Sequence, residues 1–159
     1  MKKNAKALLI RLSMFLLFAA ASIPAGSLPA CAASPKIGDS IAGGIVFYVD
    51  NTGQHGMVAA PADIKDNTAG QEKAFFSWYS ARVAANTFAG GYCDWFLPNR
   101  EQLKELYRNR DAVGGLEATY YWSSSESEQG QAWAQDFSTG EQLTGNKTNT
   151  SRVRPPRYF

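Results

Sequence analysis

Cysteine and histidine are both scarce in this chain of 159 residues, with thiols only at Cys31 and Cys93 and one imidazole at His55. Once the leader described below is removed, Cys93 alone remains. No internal disulfide can then form, and the domain has to rest on its core. No serine or cysteine motif stands near His55 to make a nucleophile–base pair, so it reads as a structural hydrogen-bonder at a turn and not as a catalyst. Asp50, Asp63 and Asp66 lack the alternating oxygen-ligand spacing of a calcium loop. They read as surface and turn residues, and neither a metal nor a cofactor is expected. An excess of one charge is missing as well. The whole chain carries +2, but Lys2, Lys3, Lys6 and Arg11 all lie in the leader, and their loss moves the balance to −2. Nothing in that balance points to nucleic acid.

What is present begins with an export signal. Lys2, Lys3 and Lys6 give a basic start, and 7–21 is mostly apolar, broken by Arg11 and Ser13. Ala30-Cys31-Ala32 fits a small-x-small cleavage site. The apolar run falls short of the roughly 20 residues of a membrane span. The expected processing is removal of residues 1–32, leaving 33–159 as one domain. The alternative reads Leu28-Pro29-Ala30-Cys31 as a lipobox, so a lipid anchor at Cys31 is the one membrane attachment the sequence offers. Either route takes the protein out of the cytoplasm, to a secreted or cell-envelope location.

Gly43-Gly44-Ile45-Val46-Phe47-Tyr48-Val49 is β-branched and aromatic, hence a strand. A turn at 51–54 and a returning strand at 56–60 complete a hairpin, with His55 at the turn exit. Residues 61–73 are polar and loop-like. Trp78, Ala81, Arg82 and Ala85 recur at i, i+3, i+4 and i+7, which predicts a helix over 78–88 ended by Gly90-Gly91. Cys93 lies among aromatics and reads as a small buried side chain. Asn99 followed by Gln102 is a capping-box pattern. It opens a second helix over 100–110, with Leu103, Leu106 and Tyr107 inward and Lys104, Glu105 and Arg108 solvated.

From Tyr120 onward, large aromatics alternate with short polar stretches holding Gly130, Gly140 and Gly145. That is the pattern of several short antiparallel strands joined by tight turns. Trp122, Trp133 and Phe137 are expected in the core, and the polar residues between them on an exposed face, because a strand points alternate side chains to opposite sides. The expected class is therefore α+β: an N-terminal hairpin, two helices, and a C-terminal antiparallel sheet.

Gly43-Gly44-Ile45-Val46-Phe47, Gly91-Tyr92-x-Asp94-Trp95, Leu97-Pro98 and Trp122-Ser123-Ser124-Ser125-Glu126 together resemble the bacterial Lcl C-terminal-like domains, a family catalogued as a domain of unknown function. Ala132-Trp133, Phe137, Gly140, Lys147 and Val153-Arg154-Pro155 agree with that pattern, so the resemblance covers about 37–157. It implies a C-type-lectin-like fold, related to that of the formylglycine-generating enzymes. Phe96 departs from the arginine or tyrosine usual before Leu-Pro, and Pro156 from the small or β-branched residue usual there.

The resemblance also implies a bacterial-surface protein, some members being adhesin heads. The expected function is an exported, non-enzymatic module that holds an extracellular protein or glycan. Its candidate ligand-binding residues are the polar ones between the framework motifs: Glu128, Gln129, Gln131, Gln135, Asp136, Glu141, Gln142, Thr144, Asn146, Thr148 and Asn149. One alternative is a variable protein of a diversity-generating retroelement. Adenine rewriting of AAC or AAT codons cannot yield Glu or Gln, however, and 128, 129, 131, 135, 141 and 142 are all Glu or Gln. Another is a structural envelope component without a specific ligand. An enzyme of the related fold would need a copper-binding cysteine pair, which Cys93 alone cannot supply. Glu126 and Glu128 sit at i and i+2, exposed neighbours on a strand with nothing else to mark a cleft, and no catalytic residue is assigned.

Overall fold

In the computed structural model, residues 33–66 and 74–159 are described. The expected leader, its cleavage, the lipid alternative at Cys31 and the end of the 61–73 loop lie outside the described residues.

The chain enters through β1 (Ser40–Ile41) and turns into β2 (Gly44–Val49), which pairs with β3 (Gly56–Ala59) as the expected hairpin. Gly44 allows the two strands to approach, since a Cβ there would stand 2.4 Å from the Ala59 carbonyl oxygen. Asp50 shapes the turn. Its Oδ1 accepts from the Thr52 amide at 3.0 Å and the Thr52 hydroxyl at 2.7 Å. The Thr52 hydroxyl foremost holds the Asp50 carboxyl below its ordinary pKa. His55 is exposed at the turn exit.

After β4 (Phe76–Ser77) comes α1 (Trp78–Asn86), capped by the Ser77 hydroxyl accepting from the Ser80 amide. Trp78, Ala81 and Ala85 face inward as their spacing predicts. Arg82 does not: it is exposed and folds back over the Trp78 ring at 5.0 Å. The helix stops before Gly90-Gly91, at Thr87, whose amide and hydroxyl both donate to the Val83 carbonyl, at 3.0 and 2.9 Å.

At α2 (Arg100–Arg108) the full capping box forms. The Gln102 amide donates to Asn99 Oδ1 at 2.8 Å, and the Asn99 amide to Gln102 Oε1 at 2.8 Å. The helix breaks at Asn109, whose Nδ2 donates to the Phe47 and Glu105 carbonyls, and a separate turn, α3 (Arg110–Val113), follows. The single helix expected over 100–110 is thus two elements.

The terminal sheet has three antiparallel strands in the order β5 (Tyr120–Glu126), β6 (Gln131–Asp136), β7 (Gln142–Asn146). Then β8 (Thr150–Ser151) pairs with β4, and β9 (Pro156–Tyr158) returns to pair with β3 in the first sheet. Pro156 fits there because a proline can open an outer strand. Its carbonyl accepts from the Phe96 amide at 3.1 Å, and the Phe96 ring stacks on Tyr158 at 5.2 Å. The α+β class, with its N-terminal hairpin and C-terminal antiparallel sheet, is as expected.

Three apolar clusters hold these layers together, one of them packing Val46, Val58 and Ala60 of the first sheet and its exit on Trp95. Trp78, Leu97, Trp122, Ala132, Ala134 and Val153 join α1 to one face of the terminal sheet. Phe47, Leu103, Leu106, Tyr121 and Phe137 join α2 to the first sheet and the other face. Between them lies a buried polar knot that corrects the surface reading of Asp63. Its carboxylate accepts from Arg154 Nε at 2.7 Å, Arg152 Nη1 at 3.2 Å and the Tyr121 hydroxyl at 2.7 Å. Charge pairing inside the fold makes its burial tolerable. Burial first, and the Asp63 charge second, push the Tyr121 phenol well above its usual pKa. Cys93 is also a correction. It is exposed, because the buried aromatic of that segment is Trp95, two residues on.

Candidate functional site: the open end of the terminal sheet

The motif residues from Trp122 to Lys147 act as fasteners. Trp122 Nε1 donates to the Phe76 carbonyl at 2.9 Å. The strand pairing then slips between Trp122 and Glu126, and the serines in the slip turn to other partners. Ser123 Oγ donates to the Trp133 carbonyl at 2.8 Å, the Ser124 amide to the Pro98 carbonyl at 2.7 Å, and Ser125 Oγ accepts from the Arg100 amide at 2.9 Å. Lys147 is buried, with its ammonium 4.3 Å from the Trp78 ring centre and 2.5 Å from Glu126 Oε2. Gly140 has φ +87°, and a Cβ there would lie 2.6 Å from the Tyr107 ring.

With the fasteners placed, alternation along β6 assigns the rest. Ala132 and Ala134 point into the core, while Gln131, Trp133 and Gln135 point the other way, opposite Asn146, Thr144 and Gln142 of β7. That second face is not uniformly open. At one end α2 and the first sheet cover it. Gln135 is there fully buried, its Nε2 donating to the Gly140 carbonyl at 2.6 Å while its Oε1 is unpartnered. Gln142 is half-buried, accepting from Arg100 Nε at 2.8 Å and donating to the Arg100 carbonyl at 2.9 Å. Gln135 and Gln142 are thus corrected from ligand-binding to structural positions, because a helix remote in sequence lies over them.

The other end is open. Trp133, expected in the core, is half-buried on this outer face, with one side of its ring under the Arg100 guanidinium at 3.7 Å. Beside it Glu126, Ser127, Glu128, Gln131 and Thr144 line a shallow concavity of about 370 Å³. Gln129 is exposed in the same β5–β6 turn. The Lys147 amide donates to the Gly130 carbonyl at 2.9 Å, which draws residues 146–149 alongside that turn. Asn146 Oδ1 accepts from the Thr148 amide and hydroxyl, and Thr148 and Asn149 form an exposed rim. Asp136 and Glu141 are separate, at the far turn of the sheet. There Ser138, through its hydroxyl and then its amide, holds the Asp136 carboxyl below its usual range.

Sequence reasoning missed Trp133, Ser127 and Arg100 as members of this surface. The signal for Trp133 was present: flanking Ala132 and Ala134 are the small residues of an inward face, so the residue between them points outward. A second concavity, about 660 Å³ and mostly apolar, runs along α1 past Ile64, Phe76, Tyr79 and Val83. Among the described residues, no group of three His, Cys, Asp or Glu side chains could hold a metal ion, and no helix is long and apolar enough to cross a membrane.

These features define an α+β domain whose sequence signature is its internal fastening and whose open surface is a polar patch around one tryptophan. The sequence profile of the Lcl C-terminal domain matches residues 55–157, and the chain belongs to that family. No curated protein matches the chain.

Proposed function

We propose that this chain is an exported, non-enzymatic binding module. It holds a protein or glycan on the open end of the terminal sheet, carried by a scaffold of C-type-lectin-like kind. The position of Trp133 carries the reading: a large aromatic outside the core, oriented by Arg100 and ringed by the amide, hydroxyl and carboxylate groups of Gln131, Thr144 and Glu128. An aromatic plane with polar groups at its edge suits a partner having one apolar and one hydrogen-bonding side, whether a sugar ring or a protein side chain. Glu126, the carboxylate nearest Glu128 in sequence, is held by Lys147, which favours binding over acid–base chemistry.

The test is a glycan and protein array probed with the purified chain, followed by Trp133→Ala, Gln131→Ala and Thr144→Ala. The expected result is a ligand captured by the parent and lost in Trp133→Ala, with the melting transition kept. Capture that survives all three substitutions would move the site, the groove along α1 being next in line. Mass spectrometry of the secreted protein checks export: an N-terminus after Ala32 is expected, a lipidated Cys31 would give the anchored form, and an intact Met1 in the cytoplasm would overturn export.

A further inference from the structure

We infer that the ligand at the open end of the terminal sheet is an uncharged saccharide, with one sugar ring seated against Trp133; this rests on the binding reading above and narrows it. The platform is fixed before any ligand arrives. The Arg100 amide donates to Ser125 Oγ at 2.9 Å, its carbonyl accepts from Gln142 Nε2 at 2.9 Å, and its Nε donates to Gln142 Oε1 at 2.8 Å. The guanidinium held in this way takes one face of the indole, 3.7 Å from the ring centre, and leaves one face for a partner. Side chains already pinned lose little freedom on binding. Over the rest of this sheet, polar side chains are committed: Ser123 to the Trp133 carbonyl, Gln135 to the Gly140 carbonyl, Gln142 to Arg100, and Asn146 to Thr148. Around the concavity of about 370 Å³ the reverse holds. Among the described residues, the side chains of Ser127, Glu128, Gln131 and Thr144 and the terminal nitrogens of Arg100 have no hydrogen-bond partner. The set is mixed, since the carboxylate only accepts, the guanidinium only donates, and the hydroxyls and the amide do both.

A sugar ring answers this mixture. Each hydroxyl both donates and accepts, and several of them surround a C–H face that packs on an aromatic plane. A lysine or arginine side chain brings donors alone, which suit Glu128 and leave Arg100 unanswered, and an apolar side chain brings neither. Charge points the same way. Arg100 and Lys147 stand against Glu126 and Glu128, so the site has no net formal charge. Lys147 is already paired with Glu126, and the two charges left, on Arg100 and Glu128, are opposite in sign. An acidic glycan drawn to Arg100 meets Glu128, and a basic segment drawn to Glu128 meets Arg100. Like charges brought together count against a partner, and an uncharged ring meets neither. The concavity is also near the small end of the roughly 300–1,000 Å³ of ligand pockets, which suits a sugar unit and not a long stretch of chain.

Trp78, Trp95 and Trp122 are buried and Trp133 alone is partly exposed, so quenching of indole fluorescence by acrylamide reports on Trp133. The purified chain is titrated with a panel of neutral oligosaccharides, built from hexoses and N-acetylhexosamines. At least one should protect the emission from acrylamide. Its affinity should stay within about twofold between low and high salt, because no charge pair across the contact is there to be screened. Thr144→Ala and Glu128→Gln should each weaken it several-fold, with the melting transition kept. Oligosaccharides of uronic acids and oligolysine should give no protection. Acidic glycans or proteins captured by the parent and lost in Trp133→Ala, with no neutral saccharide protecting Trp133, would overturn this inference and leave the binding reading standing. If no ligand of any class protects Trp133 and none is lost in Trp133→Ala, both fall together.

Discussion

Asp63→Ala tests the buried polar knot most directly. The substitution removes the carboxylate that neutralises Arg154, whose side chain is 0% exposed, and Arg152, whose side chain is 19% exposed. Arg154 keeps the Ala60 and Gly115 carbonyls as acceptors, but carbonyl dipoles do not cancel its charge. The Tyr121 hydroxyl loses its acceptor in the same step. Breaking a buried pair from one side costs about 3–5 kcal/mol, because the partner charge is left uncompensated. That is a large part of the roughly 5–15 kcal/mol that holds a domain together. The melting temperature should fall by on the order of 10–20 °C for a domain of this size. Asp94→Ala is the control. Asp94 grips Arg157 through both oxygens at 2.7 and 2.9 Å, a similar geometry, but its side chain is half exposed. Water screens such a pair and its loss should leave the melting curve near that of the parent. Thermal or urea unfolding of the two variants side by side decides the matter. Equal, small shifts would show that burial does not set the strength of these pairs here.

Trp122→Ala should destabilise by about 3–5 kcal/mol, since it empties a fully buried site and orphans the Phe76 carbonyl. Trp133→Ala should cost only about 1 kcal/mol from its half-exposed position, and urea unfolding that ranks the two the other way would refute the assignment of faces. The Asp94 carboxyl, held by its hydrogen bond from Arg157, should titrate below its ordinary 3.8 in carbonyl NMR and return toward it in Arg157→Gln. Because the folded value is the lower one, this contact stabilises above pH 3.8 and fades as pH falls through the folded value, so the acid limb of a pH–stability curve should flatten in Asp94→Asn. Exposed Cys93 should react with a thiol reagent in the native protein at a rate close to that in denaturant, and Cys93→Ser should leave the melting temperature unchanged.

Local spacing was readable in the sequence and distant packing was not. Asn99 and Gln102 announce the start of α2 because a capping box needs only three residues of spacing, and the inward Ala81 and Ala85 follow from helical period alone. The end of α1 falls at Thr87, ahead of the glycines that drew attention, because the last turn of a helix leaves little trace in hydrophobic spacing. Asp63 looked like a loop carboxylate because its cations stand 89 and 91 residues downstream. Gln135 and Gln142 share the polarity of Gln131, and only the placement of α2 separates them. Glu128, Gln131, Thr144 and Asn146 were readable as one surface because strand alternation and turn adjacency are both local rules. Trp133 was assigned to the core by size, although its alanine neighbours indicated the outer face.

The return of β9 to the first sheet has a consequence for the order in which the chain can fold. β3 lies between β2 and β9, and Ala59 finds its second partner, Pro156, only after roughly a hundred further residues have been made. The carbonyl of Pro155 and the side chain of Arg154, which fix Ala60 and Asp63, arrive just as late. Loop closure over such a separation is entropically costly and slow. A nascent chain can therefore form its hairpin and gather the cluster from Phe47 to Phe137 early, but the cluster that includes Val153 and the Asp63–Arg154 knot close only when its last residues emerge. A chain cut short before Arg154 should lack the Asp63 knot and the outer partner of β3, and limited proteolysis should digest it faster than the full chain.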